Sequence, residues 1–110
     1  MANRNRSAGI AYETQIAREF REMGYEAVTS RYASRQLDDA GVDLVTDFPL
    51  APQMKVSVNQ PNCHTLLTET EAEIVFFKKV EKSKKNFIAQ GEYVFLRKDD
   101  LYKLLKLLDK

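Results

Sequence analysis

The stretch GVDLVTDFPLAPQMKVSV, residues 41–58, decides how the chain is read. Val42 to Phe48 is rich in β-formers and reads as a strand, and Pro49 and Pro52 punctuate a short turn after it. From Gln53 to Val58 apolar and polar residues alternate. Met54, Val56 and Val58 fall on one face, and Gln53, Lys55 and Ser57 on the other. Two strands so connected predict a hairpin. That pairing would bring Asp43 of one strand beside Gln53 and Lys55 of the next, so that three polar side chains converge at one sheet edge.

Upstream, Ile10, Ile16, Ala17, Phe20 and Met23 recur at helical spacing, and Gly24 stands where a helix ends, which predicts an amphipathic helix over Ser7 to Met23. Glu13 interrupts the apolar stripe, three residues after Ile10 and three before Ile16. Its carboxylate should point inward, and an inward carboxylate needs a partner. Tyr25 to Tyr32 reads as a strand, followed by a polar loop from Ala33 to Gly41.

Downstream, Asn59 to Thr70 reads as a loop with at most a brief helix. Glu73 to Val80 and Phe87 to Arg97 predict a second hairpin around a long basic turn, Glu81 to Asn86. Asp99 offers an N-cap for a final helix with Leu101, Leu104, Leu105 and Leu108 as its apolar stripe. The expected fold is α+β, a central mixed five-stranded sheet flanked by helices. With 110 residues there is room for one domain, residues 1–110.

Hydrophobic residues make up 44% of the chain and charged residues 30%, which excludes disordered and fibrous classes. The net charge of +1 gives no overall basic bias, so clustering matters more than the sum. Lys78, Lys79, Lys82, Lys84 and Lys85 crowd one segment, Arg4 and Arg6 mark the N-terminus, and Arg31 and Arg35 flank the polar loop. One cysteine, Cys63, excludes an internal disulfide, and a single His64 beside it argues against a structural zinc site. The first residues lack the apolar core of a signal peptide and no apolar run is long enough to span a bilayer, so a cytoplasmic protein without membrane attachment is expected.

An Asp carboxylate, an amide oxygen and waters can ligate a hard Mg²⁺ ion, and a neighbouring Lys can orient a nucleophile and offset phosphate charge. Glu13 can join that set directly or through water. Three departures from ordinary patterning thus point to one location: an acid on an apolar helix stripe, an acid in a β-rich strand, and Gln-x-Lys alternating with Met-x-Val.

These residues resemble the PD-(D/E)XK nuclease superfamily, and within it the archaeal-type and phage-type Holliday junction resolvases. The resemblance covers nearly the whole chain: Tyr12-Glu13 in the first helix, Gly24-Tyr25-Glu26-Ala27-Val28, Gly41-Val42-Asp43-Leu44-Val45, Gln53-Met54-Lys55-Val56, then Ile74 to Lys79 and Gly91 to Val94 before a helix. It implies a restriction-endonuclease-like fold and a Mg²⁺-dependent endonuclease, with Mn²⁺ able to substitute, that cuts four-way junctions in branched double-stranded DNA during DNA recombination. Carried over residue by residue, Asp43 matches the first metal-binding acid, Gln53 the second ligand, Lys55 the catalytic lysine and Glu13 the acid of the first helix. Ser34 or Ser30 matches a loop serine near the scissile phosphate, and Arg4, Arg6, Arg31, Arg35, Lys79, Lys82, Lys84 and Lys85 would contact DNA phosphates. Two symmetric cuts imply a two-fold homodimer, through the leucine-rich last helix or the Phe76 and Phe77 strand.

One departure from the pattern is material: Gln53 stands where the motif carries Asp or Glu. An amide ligates Mg²⁺ without charge, so metal affinity should fall unless Glu13, Asp38 or Asp39 compensates. Two alternatives stay open, a nicking, repair or restriction-type nuclease acting on another DNA substrate, and a catalytically silent nucleic-acid-binding module of the same fold.

Overall fold

The computed structural model describes residues 4–84 and 86–108. Helix α1 (Arg4–Glu22) buries Tyr12, Ile16, Ala17 and Phe20. Its end is closed by a Schellman arrangement: the Tyr25 N–H donates to the Phe20 carbonyl (3.0 Å) and the Gly24 N–H to the Arg21 carbonyl (3.0 Å). Gly24 sits at φ 99°, where a side chain would be strained. Met23, expected on the buried stripe, lies past the helix end and is exposed.

The strand expected over Tyr25 to Tyr32 is shorter. Strand β1 (Ala27–Thr29) gives way at once to a helical turn, α2 (Ser30–Ala33), and the expected loop holds a second turn, α3 (Arg35–Asp39). Ser34 explains the change, because its Oγ accepts from the Leu37 N–H (3.2 Å) and so caps α3. β1 pairs antiparallel with β2 (Leu44–Thr46), Val28 opposite Val45.

Strand β3 (Pro52–Ser57) does not form the expected hairpin ladder with β2. It pairs in parallel with β4 (Ile74–Lys82), and α4 (Cys63–Glu69) makes the crossover between them. The brief helix in the segment 59–70 is this α4, capped by Asn62 Oδ1 on the Thr65 N–H (3.0 Å). β4 continues into an antiparallel hairpin with β5 (Phe87–Leu96), broken by a bulge between Lys79 and Val80.

The fold is thus mixed α+β with five strands divided into a two-stranded sheet, β1-β2, and a three-stranded sheet, β3-β4-β5. Two features keep β2 and β3 from zipping up. Pro52 has no N–H to donate, and the Met54 N–H is taken by the Asp43 side chain (2.7 Å). One backbone bond still ties the sheets, from the Asp43 N–H to the Pro52 carbonyl (2.9 Å).

One core lies between α1 and the sheets, where Tyr12, Ile16, Phe20, Leu44 and Met54 pack with Phe48 and Phe76. Phe20 meets Phe48 at 5.0 Å and Phe76 at 5.6 Å between ring centroids, distances at which tilted aromatic pairs attract beyond simple burial. On the opposite face Val75 and Phe77 are buried where α4 packs on β4.

Helix α5 (Lys98–Leu108) departs from expectation in two ways. Asp99 lies in its first turn and does not precede it, and the buried acid there is Asp100, ion-paired to Lys103 (3.5 Å) and Arg97 (4.0 Å). Leu101, Leu105 and Leu108 of the expected core stripe are exposed. Among the described residues no helix is long and apolar enough to cross a membrane.

Candidate active site

Glu13, Lys55, Arg6 and Arg31 line one cleft of about 310 Å³, with Gly9, Ile10, Met54 and Val56 as its remaining walls. Helix α1 supplies Glu13 one turn from Gly9, α2 supplies Arg31, and β3 supplies Lys55. Asp43 adjoins from just before β2, its Oδ2 held by the Met54 N–H at 2.7 Å. The backbone donor of β3 that would have served a strand partner therefore fixes the carboxylate.

The partner required by Glu13 is Arg31, whose Nη1 lies 3.5 Å from Glu13 Oε1 with both side chains mostly shielded from solvent. Even so, the Glu13 carboxyl is raised to about 7. Burial contributes most and the Asp43 charge adds to it, together outweighing the opposing Arg31 and Lys55 cations. Asp43 is raised to about 6, again mainly by burial, against the lowering effect of the Met54 N–H and Lys55. Asp38 raises both. Both acids thus resist ionisation chiefly because they are buried, in a place where Arg31 and Lys55 already oppose the shift.

Gln53 is 7% exposed, and its Oε1 is buried with no hydrogen-bond partner among the described residues. An orphaned buried acceptor costs on the order of 1–3 kcal/mol, so it marks an incomplete arrangement. Its amide end presses on Gly41, at φ 83°: a Cβ there would lie 2.7 Å from Thr70 Cβ and 3.2 Å from Gln53 Nε2. Among the described residues no group of three or more His, Cys, Asp or Glu side chains could hold a metal. Glu13 and Asp43 carry hard oxygens of the kind Mg²⁺ takes, whereas Gln53, beside Gly41, is not among the residues that line the cleft.

The other expected contacts separate. Ser34 is spent on capping α3, and Arg35 pairs with Asp39 (3.8 Å) in solvent, so neither lines the cleft. Of the two serines, Ser30 is the one near the site, its N–H donating to the Asp43 carbonyl (2.8 Å) while its side chain is buried. Lys79 Nζ donates to the Val58 carbonyl (2.9 Å), which commits it to holding β4 against the end of β3. Lys82 and Lys84 stand exposed on the β4-β5 hairpin, away from the cleft walls. The Arg4 side chain and Lys85 lie outside the described residues. The role of Arg31 as counter-ion of Glu13 was missed in the sequence, although the demand of an inward carboxylate for a partner was the signal for it.

Compared with known proteins, the chain matches no family, no curated protein and no solved structure.

Proposed function

We propose that the chain is a Mg²⁺-dependent, structure-selective DNA endonuclease that resolves four-way junctions by phosphodiester hydrolysis. The observation that carries the reading is that Glu13 and Asp43, raised to about 7 and 6, act on one another beside Lys55. The succession of α1, β1, the turns α2 and α3, β2, β3, α4, β4, β5 and α5 also supports a restriction-endonuclease-like fold, with the two sheets as halves of one five-stranded layer.

In this reading Asp43 and Glu13, with Gln53 as the expected third ligand, would hold Mg²⁺ or Mn²⁺, which would supply charge to stabilise the phosphate oxygens. Lys55 Nζ neutralises the phosphate and orients the attacking water for in-line displacement of the 3′ oxygen. Arg31 keeps Glu13 aimed into the cleft (3.5 Å). Arg6, at the cleft, and Lys82 and Lys84, on the hairpin, supply phosphate contacts that weaken steeply with salt.

A second reading, a silent DNA-binding module, is favoured by two observations: Gln53 brings no charge, and Glu13 is already paired with Arg31. The deciding experiment incubates the protein with a labelled four-way junction and its matched linear duplex in Mg²⁺, Mn²⁺ or EDTA. Metal-dependent paired cuts confined to the junction are expected. Cutting of both substrates would shift the assignment to a nicking or repair nuclease, and tight binding without cutting would shift it to the silent module.

A further inference from the structure

Among the described residues Tyr32 is the most exposed of the large hydrophobic side chains, at 85%. It stands on the helical turn α2 with its ring steadied from one side, where the Arg31 guanidinium lies over it, 5.0 Å from the centroid. Arg31 reaches the candidate active site as well, its Nη1 3.5 Å from Glu13 Oε1. That separation exceeds the roughly 2.7–2.9 Å of a charge-assisted hydrogen bond. The Arg31 Nε is also buried with no hydrogen-bond partner among the described residues. The guanidinium therefore supports an aromatic plate while its own donors are under-used.

Beside the plate, Tyr32 walls a cleft of about 530 Å³ with Thr14, Ala17, Arg21, Val28 and Thr29. The one charge on those walls is Arg21, fixed at the rim by donation from its Nη1 to the Ala27 carbonyl (2.7 Å). A flat exposed ring, a small and largely apolar recess next to it, and an arginine on either side make up the whole surface.

We propose that Tyr32 and the adjoining cleft form a subsite for one unpaired nucleobase of a DNA strand, with Arg31 and Arg21 facing the phosphates that flank it. The occupant follows from shape and charge together. A nucleobase is flat, presents a π-face whatever its identity, and is joined on both sides to anions that suit planar guanidinium forks. An apolar peptide would fill the recess and leave both arginines without a counterpart. The base must also be unpaired and unstacked: inside a duplex its neighbours cover both flat faces, whereas at a branch, a nick or a single strand one face is free for a protein ring. The inference rests on the nuclease reading for its ligand, DNA, and deepens it. One guanidinium touches both Tyr32 and Glu13, so a strand held at the candidate active site has its open base within reach of the plate.

The test is made on the full chain in EDTA, with no cleavage to read. The probe is a labelled single strand carrying one 5-iodouracil, a base that cross-links under ultraviolet light to an aromatic ring stacked on it. The cross-link should map to Tyr32 and should vanish when the iodouracil is paired at the centre of a duplex. Tyr32→Ala should weaken single-strand binding about tenfold, within the range for one base–aromatic stack, and change duplex affinity less than about twofold. Tyr32→Phe and Tyr32→Trp should restore the single-strand affinity, with unchanged far-UV circular dichroism as the control for folding. Equal single-strand affinity in Tyr32→Ala would overturn the subsite, as would a cross-link that maps to another residue or forms equally in the duplex. A chain that bound neither DNA would overturn it too. A subsite supported in this way stands even if the protein cuts no junction, and metal-dependent junction cutting that ignores Tyr32→Ala keeps the nuclease reading while removing the subsite.

Discussion

The three-stranded sheet has two edges, and they are finished in opposite ways. At the β3 edge Pro52 removes a donor and the Asp43 carboxylate takes the Met54 N–H, so the strand meets a charged side chain where a neighbouring strand would lie. At the β5 edge the outer strand is largely exposed, with Ile88, Tyr93 and Val94 along it. The same requirement, that polar backbone groups be satisfied, is met at one edge by an acid of the candidate site, while the other edge strand is largely exposed. Closing an edge with a carboxylate also buries that carboxylate, and burial is the leading cause of the raised titration of Asp43.

The strongest challenge to this contrast is Asp43→Asn. The amide oxygen can still accept from Met54 N–H, so the β3 edge stays closed while the charge is lost. Junction cleavage should fall on the order of 10²–10³-fold in single-turnover assays, with DNA affinity nearly unchanged. Unaltered cleavage would remove Asp43 from the chemistry and leave it a purely structural cap.

Gln53→Glu tests the neighbouring position. Adding a charged oxygen where Gln53 Oε1 lacks a partner should lower the Mg²⁺ concentration for half-maximal cleavage by roughly tenfold. The same variant should be less stable without metal at neutral pH, since it buries an acid at a position that is 7% exposed and offers its oxygen no partner.

A pH series gives a smaller but diagnostic effect. The folded values of Glu13 and Asp43 lie above the ordinary carboxylate range, so the folded state binds more protons than the unfolded one. The stability each contributes is fully present below about pH 4 and is lost as pH rises through about 6 for Asp43 and about 7 for Glu13. Glu13→Gln should therefore melt above the unaltered protein by roughly 2–4 °C at pH 7.5 without metal, and match it near pH 4. Millimolar Mg²⁺ should narrow the gap at pH 7.5. A gap independent of pH would show that the charge of Glu13 is not the cause.

The smallest expected effect belongs to the other edge. Val94→Thr, at an exposed position, should change monomer stability by about 0.5 kcal/mol or less by urea titration at low protein concentration. A loss several times larger would mean that Val94 is already packed within its own chain.

Much of this was legible in residues. The 3.6-residue spacing of Ile16 and Phe20, the glycine at 24 and the strict alternation of Gln53 to Val58 each encode a local conformation, and each is found. The inward carboxylate at 13 was legible because the cost of desolvating an acid on an apolar stripe demands a compensating partner nearby. Strand partners were harder, because β2 and β3 are close in sequence and a hairpin is the default. Its failure rests on a side chain displacing a carbonyl from the Met54 N–H, a tertiary contest with no sequence period. The short helix after Ser34 was missed because a hydroxyl cap is decided by one bond, and the turn from Ser30 has no side-chain cap to announce it. The direction of α5 was illegible in principle, since an apolar stripe looks the same whether it faces its own core or a partner.

The parallel pairing of β3 with β4 has a consequence for the order of assembly. The β4-β5 hairpin closes through the short turn between Lys82 and Phe87, a local event on the microsecond scale. β3 can join only after the chain through α4 has doubled back, a longer loop closure that slows its docking. The strand bearing Gln53 and Lys55 thus arrives on a template already made. Amide exchange at Met54, whose N–H is sealed by Asp43, would then report the last step by which a nascent chain becomes competent.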